Sequence, residues 1–184
     1  MHTQPSIQPS IQPSIQPMQP SPRSVFGTAR RTGAAVLGAL LVAASTSALA
    51  ATPHLPPVND LAIQAAAAAS RGEPLVVLVT LPGCVYCETV RRNYLGPQAA
   101  AGEIEARELD MTADTPLRNA DGSMTTAREW ARSRNVAVAP TVLFLDARGR
   151  SLATPLRGMQ PDFYGAYLEQ ALDQARSALA SKTH

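Results

Sequence analysis

Leu75-Val76-Val77-Leu78-Val79-Thr80-Leu81-Pro82-Gly83-Cys84-Val85-Tyr86-Cys87 is the stretch that decides how this chain reads. Its first seven residues are apolar or β-branched almost without interruption, which suits a central strand buried on both faces. Pro82-Gly83 breaks that strand. The two cysteines, the only ones in 184 residues, follow three positions apart. Glu88 to Leu95 continues as a helix, expected to stop at Leu95 or Gly96 because Pro97 disfavours helical geometry in the residue before it. A Cys-x-x-Cys pair between a strand and a helix signals redox chemistry.

Upstream, Asn59 or Asp60 is placed to cap an Ala-rich helix, Leu61 to Ser70, which Arg71-Gly72-Glu73-Pro74 ends. Downstream, Ile104 to Met111 reads as a second strand with Ile104, Ala106, Glu108 and Asp110 on one side. Thr112 to Ser123 reads as a loop. Thr125 or Thr126 can cap a helix running to Arg134, with Trp130 expected in the core. Val142 to Leu145 is a further strand, Asp146-Ala147-Arg148-Gly149 a turn, and Ser151 to Leu156 the returning strand. Gly158 and Pro161 open a last helix that carries Leu168, Leu172, Ala175 and Leu179 on one face. The order predicts an α/β fold: a parallel βαβ part followed by an antiparallel hairpin closed by a helix, giving a mixed central sheet flanked by helices on both sides.

The first 50 residues stand apart from this pattern. Gln-Pro-Ser-Ile repeats through residues 4–15 and the Pro-rich bias runs to Pro22; Met18 is a second candidate start. Such a tract offers no packable apolar face. Arg30-Arg31 then precede the apolar run Gly33 to Ala44 and the small residues Ala48 and Ala50. That is the layout of a cleavable secretory signal, with an uncleaved membrane anchor as the alternative. Residues 1–50 are therefore assigned to the Pro-rich start and signal peptide, and residues 51–184 to one domain with a core at about 61–179. Cleavage removes three of the 16 basic residues and none of the 14 acidic ones, so the formal charge falls from +2 to −1. No basic stripe is left to suggest nucleic acid. The expected address is the periplasm. An exported chain with one close cysteine pair is not built like a disulfide-stapled scaffold, which carries several bridges.

Cys84-Val85-Tyr86-Cys87, the Val138-Ala139-Pro140-Thr141 strand opening about 55 residues later, Gly72-Glu73-Pro74, Asp146 to Arg150 and Gly158 together resemble the thioredoxin superfamily. Within it, the chain is similar to exported bacterial thioredoxin-like proteins associated with disulfide and sulfur-oxidation chemistry. The resemblance covers about Leu61 to Leu179. It implies the thioredoxin fold, a cis Ala139–Pro140 bond beside the sulfurs, and pairing of the backbone around Ala139 with an extended substrate segment. Val85 and Tyr86, between the two sulfurs, are expected to meet the substrate together with Ala139 and Pro140. Two departures stand out. Gly83 precedes the first cysteine and Val85-Tyr86 separate the pair, where reducing members usually carry Trp and Gly-Pro. Leu78 occupies the place, six residues before Cys84, where cytosolic members have a buried Asp.

Only a thiolate attacks a disulfide usefully. Cys84 at the helix start faces free N–H groups that favour its ionised form, and Cys87 one turn on can resolve the mixed disulfide. The expected activity is a dithiol–disulfide oxidoreductase exchanging with protein or small thiols, acting as a monomer with no cofactor, and recycled by a membrane redox partner. The redox direction stays open, with a reductant favoured. The alternatives are a copper or zinc carrier and a non-catalytic domain with a structural disulfide. His54 and His184 lie away from the pair, and a four-residue ring constrains little of the unfolded chain.

Overall fold

In the computed structural model, which describes residues 54–181, the Ala-rich segment forms α1 (Leu61–Ala69). Of the two candidate caps, Asp60 does the work: its carboxylate accepts from the Ile63 N–H at 3.0 Å. Asn59 instead accepts from the Gln64 side-chain amide at 2.8 Å. The chain leaves α1 through Gly72, whose φ of +74° lies in the left-handed region that a side chain would resist. It then enters β1 (Leu75–Thr80), every residue of which is buried.

α2 (Val85–Val90) does not stop before Pro97 as the sequence suggested. It widens into a π-helical turn over Arg91–Leu95 and runs on as α3 (Gly96–Ala100). Gly96 keeps helical dihedrals, φ −62° and ψ −47°, and its N–H reaches the Arg91 carbonyl five residues back. Two facts let the helix through. The clash with a proline ring falls partly on the Cβ of the preceding residue, and Gly96 has none. The wider π turn also changes the hydrogen-bond register just where Pro97 lacks a donor.

β2 (Glu105–Asp110) pairs parallel with β1, placing Leu78 opposite Glu108. The Thr112–Ser123 segment is not a simple loop. β3 (Pro116–Arg118) lies within it and pairs antiparallel with β4 (Met124–Thr126) as a separate two-stranded ribbon. The Asn119-to-Ser123 turn is closed by hydrogen bonds from Asn119 N–H to the Ser123 carbonyl and from Ser123 N–H to Asp121. Thr126 then begins α4 (Ala127–Ser133) in a capping box with Glu129.

β5 (Thr141–Leu145) runs antiparallel to β1, and β6 (Leu156–Arg157) antiparallel to β5, so the sheet order is β2-β1-β5-β6. The expected strand Ser151–Leu156 is broken. Ser151 bridges Leu145, but the next ladder pair is Leu156 with Val142, so the register slips by two residues between them. Leu152 and Ala153 turn into the core there, and Pro155 has no N–H to give the ladder. α5 (Tyr164–Ala180) also starts later than Pro161, because Phe163 holds φ at −132°.

Two apolar clusters sit on opposite faces of the sheet. Val76, Leu78, Val142 and Phe144 pack with Val90, Leu95, Leu168 and Leu172 of the cysteine helix and α5. Leu75, Val77, Val79 and Leu143 pack with Leu61, Ala65 and Trp130 of α1 and α4. The strands are continuously apolar because both of their faces are covered. This is the mixed sheet with helices on both sides that the element order required. The signal-like segment lies outside the described residues.

Candidate active site

β1 ends at Thr80, and Pro82-Gly83 turn the chain with Gly83 at φ +73°. That turn delivers Cys84 to the first position before α2, where its extended backbone (φ −78°, ψ 98°) makes it the helix cap. Its Sγ accepts from the Cys87 N–H at 3.1 Å. The two cysteines form a disulfide with Cα atoms 5.2 Å apart. Their environments differ: Cys84 is half-buried, whereas Cys87 is 1% exposed. A sulfur open to a partner and a sealed sulfur one turn behind it suit successive attack and resolution.

Val85 and Tyr86 stand out from the surface at 75% and 59% exposure. Leu81 and Val138 are exposed apolar residues as well. The Ala139–Pro140 peptide is cis. Because Thr141 pairs with Val79, that peptide lies at the same end of the sheet as the Pro82–Cys84 turn. Ala139 is half-buried and Pro140 buried, and the Pro140 carbonyl accepts from Gly158 N–H at 2.8 Å. All six residues expected at the site are therefore gathered at one sheet end.

A cleft of about 540 Å³ opens beside Cys84. Leu81, Pro82 and Val85 form its apolar lip, and Glu88, Arg91, Glu108 and Asp110 its charged wall. Arg91 grips Glu108 with two nitrogens, Nε donating to Oε2 at 2.8 Å and Nη2 to Oε1, while Nη1 donates to Glu88. The Glu108 hydrogen bond, outweighing partial burial, holds the Arg91 guanidinium above its ordinary pKa. Thr80 Oγ1 donates to Glu108 at 3.2 Å. Sequence reading missed this cluster. The one available signal was the face Ile104, Ala106, Glu108, Asp110, which turns from apolar to acidic toward the strand end where the cysteines lie. A slightly larger cleft, about 570 Å³ over Asp146–Arg150 and Arg176, lies at the other end of the sheet and has no cysteine.

The family model for the thioredoxin-like domain matches residues 61–176, and the chain belongs to that family. Similar solved structures include thioredoxin O2 from Arabidopsis thaliana in the oxidized state, 15% identical, covering 64% of this chain and 93% of that one at a TM-score of 0.45. A poplar thioredoxin h is 14% identical, covering 63% and 96% at a TM-score of 0.46. A thioredoxin-fold protein from Helicobacter pylori is 16% identical, covering 61% and 86% at 0.39. No curated protein matches the chain.

Proposed function

We propose that this thioredoxin-like chain is an exported thiol–disulfide oxidoreductase that reduces the disulfides of protein or small-thiol partners. The observation that carries the reading is the asymmetry of the Cys84–Cys87 pair, with one sulfur half-open at a helix cap and the other sealed behind it. Cys84 attacks the partner's disulfide and forms a mixed disulfide. Cys87 attacks Cys84 and releases the reduced partner. Val85 and Tyr86, exposed beside the sulfurs, make the apolar contact, and the segment at Ala139–Pro140 receives an extended stretch of the partner as an added strand. The Ala48–Ala50 cleavage motif supports export to the periplasm, where an oxidised pair needs a membrane partner to return its electrons.

The test is a trap. Cys87→Ser should accumulate mixed disulfides with insulin or cellular partners, and Cys84→Ser should form none and lose insulin reduction. Equal trapping by both variants, or insulin reduction surviving the double substitution, would sink the reading.

A further inference from the structure

We propose that Glu88 and Glu108, sharing the single guanidinium of Arg91, keep the wall of the Cys84 cleft negatively charged and so hold the Cys84–Cys87 couple at the reducing end of its range. The inference rests on the pair being a working dithiol.

The wall is built, not incidental. Glu108 is fixed from both sides of β2: it lies opposite Leu78 of β1, and its own N–H and carbonyl bond to Pro56 and Val58 of the N-terminal segment, each at 2.9 Å. Its carboxylate has little freedom left: Arg91 Nε donates to Oε2, and Arg91 Nη2 and the Thr80 hydroxyl both donate to Oε1. The Glu108 and Arg91 side chains are 15% and 18% exposed. Charges held there are less screened than surface ones.

Among the described residues, Arg91 is the one cation lining the cleft and serves two carboxylates, and Asp110 adds a third. From the cysteine helix the facing charges are Glu88 and Arg91, and from β2 Glu108 and Asp110. Arg92 also reaches Glu88, at 3.9 Å, from a 59% exposed side chain outside the cleft lining. His54 of the N-terminal segment lines the neighbouring cleft that Glu108 and Asp110 also border. The four groups on the wall, three carboxylates and one guanidinium, sum to a negative charge.

A thiolate beside such a wall is disfavoured, whereas a neutral disulfide does not feel it. To the extent that Cys84 is ionised, the reduced pair is thereby raised in energy relative to the oxidised pair, and electrons leave it more readily. In the step concerned, the Cys84 thiolate attacks one sulfur of the partner disulfide, and the other partner sulfur departs as a thiolate. The Cys87 thiolate then attacks Cys84 Sγ, the Cys84–Cys87 bond forms, and the second partner sulfur departs. Two electrons pass to the partner, and the two thiol protons end on its released sulfurs. Glu88, Arg91 and Glu108 are positioning residues here; none of them bonds to sulfur.

The experiment is equilibration of the full chain with glutathione buffers, alongside the pH profile of Cys84 alkylation. Glu108→Gln should move the equilibrium about tenfold toward the dithiol, which is about 30 mV for a two-electron couple. It should also move the alkylation profile to lower pH. Glu88→Gln, on a 41% exposed side chain, should move both readouts the same way by less, without threatening the fold. Glu108→Asp should return both toward wild type. Gln variants that equilibrate and alkylate as wild type does would overturn the proposal and leave the redox reading standing. A wild-type pair that never equilibrates would overturn both.

Discussion

Replacing Arg91 with Met should destabilise the reduced protein by about 3 kcal/mol near neutral pH. The Nε–Oε2 separation of 2.8 Å gives an attraction of about 6 kcal/mol at an effective dielectric of about 20. Desolvation of both groups and the ordering of two long side chains offset roughly half of that, and loss of one partner from a buried pair costs about 3–5 kcal/mol. The side chains are under one-fifth exposed, so solvent screens the pair only modestly. Methionine keeps much of the apolar stem, which confines the loss to charge and hydrogen bonds. Arg91 stays charged across the working range, as any guanidinium does, and Glu108 holds its pKa higher still. The assay is urea unfolding of the reduced full chain in a double-mutant cycle with Glu108→Gln. The double variant should recover at least about 1 kcal/mol of the Arg91→Met loss, since it no longer buries an unpaired carboxylate. A loss under about 0.5 kcal/mol with no coupling would refute the view that this contact is a buried, fixed ion pair.

Other outcomes follow from packing and backbone geometry. Trp130→Ala should cost about 3–5 kcal/mol in denaturant unfolding, because the ring is 1% exposed and fills the face between α1, α4 and the sheet. Thr126→Ala should cost about 1 kcal/mol by removing one half of the capping box that starts α4, read as a lowered denaturant midpoint with an unchanged slope. Gly149→Ala should destabilise by at least about 1 kcal/mol. Gly149 holds φ at +71° and a Cβ there would meet the Ala120 Cβ at 3.0 Å, whereas the same change at Gly83 meets no atom within 4 Å and should cost only the backbone strain.

The features that were plain in the letters are those where local chemistry and burial agree. The run Leu75 to Leu81 suits a two-sided core strand, and the cap pairs Asn59/Asp60 and Thr125/Thr126 each contain the residue that caps the helix. The misses come from competition between levels. Pro97 argues for a helix end, but a glycine before it and a π turn let the helix pass. The short ribbon of β3 and β4 is hidden among turn residues, since three-residue strands are too brief to show a period. Residues Ser151 to Leu156 read as the strand returning from the Asp146–Gly149 turn, yet inward packing of Leu152 and Ala153 wins over the ladder. At the site, Cys84 and Cys87 were legible from their own chemistry and spacing, and Pro140 through the resemblance to the thioredoxin superfamily. The Glu88–Arg91–Glu108 cluster was not, because ordinary charged residues on a helix and a strand show their partnership only once β2 is laid beside β1.

The measurement that bears most directly on the Cys84–Cys87 pair is its reduction potential in the wild-type chain, from equilibration with glutathione followed by acid quench and thiol alkylation. A working, reducing pair should equilibrate as a two-electron couple nearer −270 mV than −120 mV, roughly the span from a reductant to a strong oxidant. A pair that stays oxidised throughout, with a potential below about −300 mV, behaves as a structural disulfide and would contradict the account.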